Sequence, residues 1–130
     1  MLTLVDTDVF IWLLRGKEEA RDALLSTDGI LLSVVTRMEL VQGMRSRQEL
    51  PLVNRTLVAL EAKTLEIDST ISSRASLLVE AHFHGHPLML ADALIAATAL
   101  QYGLPLLTGN HKHYRNLPGL EVQRFRIKEA

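Results

Sequence analysis

The sequence predicts an α/β fold, a three-layer α/β/α sandwich around a central, mostly parallel sheet. Two observations predict it. Short apolar runs bounded by turn residues alternate with longer stretches of helical periodicity, the pattern left by strands joined through crossover helices. Residues 91–102 are apolar on nearly every side and stop at Gly103, as suits a helix buried against a sheet.

Taken in order, residues 3–5 form a short buried strand, and from Thr7 the pattern changes to a helix that ends near Gly16. Residues 17–26 read as a second helix with Ala20, Ala23 and Leu24 on its apolar side. The run 30–33 follows Asp28-Gly29 and is a second strand, and 35–44 then carries Met38, Val41 and Gln42 at helical spacing. An amphipathic helix over 49–62 precedes a strand at 64–67 and a helix over 69–83, capped by Asp68 or Ser69 with Gly85 beyond its end. After the apolar helix come a strand at 104–108 and a last one at 121–125. With no repeat, linker or low-complexity segment, residues 1–130 read as one domain.

Composition narrows the function classes. The chain has no cysteine, which excludes disulfides, a thiolate nucleophile and a cysteine zinc site. The apolar run 9–14 is far too short to span a bilayer, and Asp6 and Asp8 would spoil a signal sequence, so no membrane association and a cytoplasmic location are expected. With 14 basic and 15 acidic residues the net charge is -1, so contact with a polyanion has to be local. Basic residues cluster at Arg37, Arg45 and Arg47, at Lys112 and Arg115 beside His111 and His113, and at Arg124, Arg126 and Lys128.

Three acids stand inside apolar segments: Asp6 after Leu2-Thr-Leu-Val, Glu39 between Met38 and Leu40, and Asp92 between Ala91 and Ala93. A carboxylate drawn toward a core has to be paired, hydrogen-bonded or coordinated, and hard divalent cations take oxygen ligands together with substrate phosphate. Asp6 falls at the end of the first strand and Thr108 to Asn110 at the end of a late one, while Glu39 sits about two turns into its helix and Asp92 in the first turn of its own. In parallel sheets ligands bind beyond the carboxyl ends of the strands, where these elements can meet. Each acid also has a plainer reading: Asp6 and Asp8 as turn residues, Asp92 as a first-turn helix residue, Glu39 as a solvated side chain. The segment His82-Phe-His-Gly-His86 invites a zinc reading, but alternate positions across a helix end cannot all face one ion, and a solvated terminus is expected.

Four segments in order resemble the motifs of PIN domains: Val5-Asp-Thr-Asp-Val-Phe-Ile-Trp-Leu-Leu14, Ser33-Val-Val-Thr-Arg-Met-Glu-Leu-Val-Gln-Gly43, Ala91-Asp-Ala-Leu-Ile-Ala-Ala-Thr-Ala99, and Leu106-Leu-Thr-Gly-Asn110 followed by His113-Tyr114. Size and the second and third segments look most like VapC-type toxins of toxin-antitoxin pairs. The resemblance implies a Mg2+- or Mn2+-dependent endoribonuclease with Asp6, Glu39 and Asp92 as metal ligands and Asn110 standing where relatives often have a fourth acid. Asn110 is neutral, which weakens a second metal position, and Asp8 occupies a place where relatives usually carry asparagine. Thr7 and Thr108 are supporting hydroxyls that would hold local turns or bind water and phosphate. The implied products are 5′-phosphate and 3′-hydroxyl ends. The implied partners are RNA, a cognate antitoxin and a second copy of the chain, with helices 17–26 and 49–62 either lining the antitoxin groove or belonging to the core. Two alternatives are a catalytically silent PIN-like module that binds RNA or protein, and an Asp-x-Asp phosphatase built on Asp6 and Asp8, which would need a later lysine and a further acidic pair.

Overall fold

The computed structural model describes residues 2–85 and 88–128; His86, the last of the three alternating histidines, lies outside them. The elements run β1 (Leu2–Val5), α1 (Thr7–Leu14), α2 (Glu18–Leu25), β2 (Gly29–Ser33), α3 (Val34–Gln42), α4 (Leu50–Ala59), β3 (Lys63–Leu65), α5 (Ser69–Ala81), α6 (Leu90–Tyr102), β4 (Leu106–Thr108) and β5 (Val122–Arg124). Short 3-10 turns at Arg47–Glu49 and His111–Tyr114 precede α4 and follow β4.

The strands form one sheet in the order β3-β2-β1-β4-β5, and every neighbouring pair is parallel. Side chains alternate across a strand, so adjacent residues serve opposite faces. Leu4, Leu31 and Leu106 point into one apolar layer with Ile71 and Ala75 of α5 and Ala93, Ala96 and Ala97 of α6. Val5, Ile30, Leu32 and Leu107 point into the other, with Phe10 of α1, Leu24 of α2, Leu40 of α3 and Val53 of α4. Burial on both faces is why the strands read as unbroken apolar runs, and it gives the three layers the sequence predicts.

Boundaries differ from expectation where a local bond intervenes. The third strand ends at Leu65, its last residue in register with Ser33, because Asp68 caps α5 by accepting from the Ile71 N–H at 2.8 Å. The fourth strand begins only at Leu106, since Pro105 has no N–H to contribute and offers its carbonyl to the Leu4 N–H instead. Helix α5 stops at Ala81, with His82 as its cap and the His82 ring nitrogen 2.9 Å from the Leu78 carbonyl. Helix α6 ends as expected in a left-handed Gly103, φ 62°.

The strand order sets the position of the site. The chain builds outward from β1 to β2 and β3 on one side, then crosses to add β4 and β5 on the other, so the direction of winding reverses between β1 and β4. At such a reversal the crossovers leave on opposite faces and open a crevice beyond the strand ends. Val5 and Leu107 are the register pair there, and the Asp6 N–H donates to the Leu107 carbonyl at 2.9 Å.

Candidate active site

Asp6 is 3% exposed and lies at the junction of β1 and α1, where its backbone is still extended. Its Oδ1 accepts from the Thr7 N–H at 2.8 Å. Its Oδ2 accepts from the Thr108 hydroxyl at 2.7 Å and from the Tyr114 hydroxyl at 3.0 Å. Three donors around one buried carboxylate satisfy its oxygens and offset the cost of its burial. Thr7 then turns the other way, donating through Oγ1 to Glu39 Oε1 at 2.7 Å, with Thr36 Oγ1 at 3.0 Å. Glu39 is thereby brought from the middle of α3 to the mouth of the crevice with one of its two oxygens committed.

Asp92, in the first turn of α6, is reached by Tyr114, whose hydroxyl is 3.3 Å from Asp92 Oδ1, and by His113, whose Nδ1 is 3.2 Å from Asp92 Oδ2. Burial raises the Asp92 pKa above the usual carboxylate range; His113 opposes the rise, while the charges of Asp6 and Glu39 add to it. Asp6, Glu39 and Asp92 therefore share one electrostatic neighbourhood, as the motif reading anticipates. Among the described residues, His113 alone of the basic side chains lies within ion-pair distance of any of the three.

Asp8 faces away from this cluster. Its Oδ2 accepts from the Gly109 N–H at 2.9 Å, and its Oδ1 is shielded from water without a hydrogen-bond partner. Burial first, and the charge of Asp6 second, push its pKa up to about 6. Only glycine fits at 109, because a β-carbon there would collide with Asp8 Oδ2 and crowd the Phe125 carbonyl. Asp8 thus ties the turn after β4 to the start of α1. Asn110 is exposed; its backbone N–H donates to Thr108 Oγ1 at 2.9 Å, which ties the loop to the same hydroxyl that holds Asp6. With Asp8, Trp12, His111 and Arg126, Asn110 lines a cavity of about 360 Å³ beside the site.

Two residues of the fourth motif, His113 and Tyr114, carry contacts to the acids that sequence reasoning did not assign. The signal was present: the aromatic residue after the 109–110 turn is a tyrosine, and a phenol delivered to a core needs an acceptor. Around the same turn, shielding from water and then Arg124, Lys112, Arg115 and Arg126 hold the His111 pKa below its usual range, so two of the basic clusters in the sequence converge here.

Whether a divalent cation suits these residues can be judged from the donors. All three acids are hard oxygen ligands, the charges of Asp6 and Glu39 bear on Asp92, and among the described residues His113 alone pairs with any of them. Among the described residues no three carboxylates or imidazoles are gathered into a closed cage, because like charges separate and the hydroxyls of Thr7, Thr108 and Tyr114 stand between them. The set fits a cation in donor type and charge.

Residues 3–117 match the PIN domain family. The chain belongs to that family. It is 38% identical over 117 residues to Ribonuclease VapC10 of Mycobacterium tuberculosis, spanning 87% of this chain and 86% of that protein. Among solved structures it resembles a toxin-antitoxin complex from Klebsiella pneumoniae, with a TM-score of 0.75 at 32% identity over 91% of this chain and 94% of the other. VapBC2 from Rickettsia felis, bound to a DNA fragment from its promoter, superposes with a TM-score of 0.82 over 97% of this chain and 100% of the other at 15% identity, a likeness of fold. Membership of the PIN family, with VapC-type relatives, bears out the family resemblance and displaces the Asp-x-Asp phosphatase. Among the described residues no helix is long and apolar enough to cross a membrane.

Proposed function

We propose that this PIN-domain protein is a Mg2+- or Mn2+-dependent endoribonuclease, the toxin of a toxin-antitoxin pair. One observation carries the reading: Asp6, Glu39 and Asp92, from three elements distant in sequence, converge at the β1–β4 reversal in a chain 38% identical to Ribonuclease VapC10. These three carboxylates would hold the cation. When bound, it supplies Lewis-acid stabilisation of charge on the phosphate and makes water more acidic. Glu39 and Asp92 stand at the open side of the site to take the proton of the attacking water, while buried Asp6 anchors the set. In-line attack at phosphorus breaks the bond to the 3′ oxygen and leaves 5′-phosphate and 3′-hydroxyl ends. The basic side chains around His111 supply the local positive field that a net charge of -1 does not.

The partners follow from the same reading. A groove of about 300 Å³ runs to Glu39, with Ile11, Leu14, Leu40, Met44 and Leu52 beside Arg15, Arg45 and Glu49, and suits an amphipathic antitoxin segment. Of the two helices expected to line it, α4 does so through Leu52, whereas α2 does not: Ala20 and Leu24 are packed into the core. Exposed Met38, Val41 and Leu90 form an apolar face on α3 and α6 suited to a second copy of the chain. The proposed location is the cytoplasm.

The test is cleavage of total cellular RNA by the purified, antitoxin-free protein with Mg2+, Mn2+ or EDTA, beside Asp6→Asn. The expected result is metal-dependent cutting that EDTA abolishes and that Asp6→Asn lowers by more than the about 100-fold typical of losing an outer-sphere partner. Undiminished cutting by Asp6→Asn, or cutting in EDTA, would overturn the reading.

A further inference from the structure

We propose that the Tyr114 hydroxyl is a positioning group that spaces Asp6 and Asp92 and selects which Asp6 oxygen faces a cation, an assignment that rests on the metal-dependent reading above. Tyr114 is 3% exposed, and its ring packs in the apolar layer of α5 and α6. A phenylalanine ring would serve that packing equally well. The hydroxyl is the part the core does not need, and it lies 3.0 Å from Asp6 Oδ2 and 3.3 Å from Asp92 Oδ1.

A phenol has one proton, so it cannot donate fully to both carboxylates at once. The shorter contact makes Asp6 its main acceptor, and the longer one leaves Asp92 held at the edge of the same hydrogen. Asp6 Oδ2 then receives two hydroxyl protons, from Thr108 and Tyr114, which uses both its lone pairs. Oδ1, which accepts only the Thr7 N–H, is the oxygen with capacity remaining. Tyr114 also bridges two carboxylates whose charges repel, and so sets their separation before any cation arrives. Groups that orient metal ligands from outside the coordination sphere change affinity by about 10- to 100-fold when removed.

The experiment is direct Mn2+ titration, read by the electron paramagnetic resonance of free Mn2+, on the wild type, Tyr114→Phe and Asp6→Asn, with thermal melts of each in EDTA. Tyr114→Phe is expected to bind Mn2+ about 10- to 100-fold more weakly, to melt within about 5 °C of the wild type, and to regain cleavage when Mn2+ is raised to saturation. Tyr114→Leu, which removes the ring as well, is expected to melt lower than Tyr114→Phe. Unchanged Mn2+ affinity in Tyr114→Phe, in a wild type that binds Mn2+ and loses it on Asp6→Asn, overturns this assignment alone. A Tyr114→Phe melting point as low as that of Tyr114→Leu marks a packing role and overturns it too. A wild type that binds no Mn2+ overturns the metal-dependent reading and this assignment together.

Discussion

The two sides of the α1 N-terminus carry the same residue type to opposite ends. Asp6 is the extended cap of α1 and Asp8 lies in its first turn, and their side chains meet different partners. Asp6 looks across the crevice and is met by the Thr7 N–H and the hydroxyls of Thr108 and Tyr114. Asp8 looks toward the turn after β4, where one N–H meets one of its oxygens and the other is left alone. Asp6 is the more buried of the two, yet it is Asp8 whose pKa is pushed up to about 6. Donors, rather than depth, separate the two: Asp6 has three, whereas Asp8 has one and keeps an unpartnered oxygen.

The comparison breaks most sharply at Thr108, which is fully buried and joins the two sides. Its hydroxyl donates to Asp6 Oδ2 at 2.7 Å and accepts from the Asn110 N–H at 2.9 Å. Thr108→Val keeps the shape but removes one of the two hydroxyl donors to Asp6 Oδ2 and strands the Asn110 amide. Each unsatisfied group costs about 1–3 kcal/mol, so a loss of about 2 kcal/mol is expected in urea unfolding of the metal-free protein. A loss below about 0.5 kcal/mol would mean that Asp6 does not depend on its donors.

At Asp8 the sign reverses. Asp8→Asn removes a partly buried charge but leaves an amide donor where the unpaired oxygen was, so a gain of about 1 kcal/mol is expected at pH 7.5 in EDTA. Because the folded pKa is raised, native Asp8 contributes stability only at low pH and loses it as the pH rises through about 6. The advantage of the variant should therefore shrink on titration from pH 7.5 toward 4. A variant less stable than the wild type at every pH would show that the bond from Gly109 outweighs the buried charge.

Much of this was legible in sequence. Apolar strands buried on both faces leave continuous runs, and Gly103 closes α6 through a conformation few other residues adopt, so the element order could be read directly. Asp6, Glu39 and Asp92 stood out because each interrupts an apolar pattern that has no use for a charge. What could not be read was the wiring. Tyr114 is 108 residues from Asp6 and shares no periodicity with it. Its hydroxyl finds an acceptor only once β4 has paired with β1, and the same holds for the bond from Gly109 to Asp8 across 101 residues. The groove beside Glu39 was hard to read for a related reason: α2 and α4 have similar apolar stripes that both reach the core, and only tertiary packing leaves Leu52 of α4 lining the groove.

The smallest effect is expected at His113, and it sharpens the comparison by testing Asp92 from its wet side. His113 is 53% exposed, and its ring nitrogen lies 3.2 Å from Asp92 Oδ2, while buried Tyr114 approaches the other oxygen. An exposed ion pair is worth at most about 1 kcal/mol and is screened by salt, whereas a donor shielded from water keeps its strength. His113→Ala should shift the melting point by less than about 2 °C at physiological ionic strength. Cleavage should stay within about threefold of the wild type, well short of what losing an orienting partner costs. If His113→Ala instead matched Tyr114→Phe in its loss of Mn2+ affinity, the exposed imidazole and not the buried hydroxyl would be what holds Asp92, and burial of the donor would no longer separate the strong partner from the weak one.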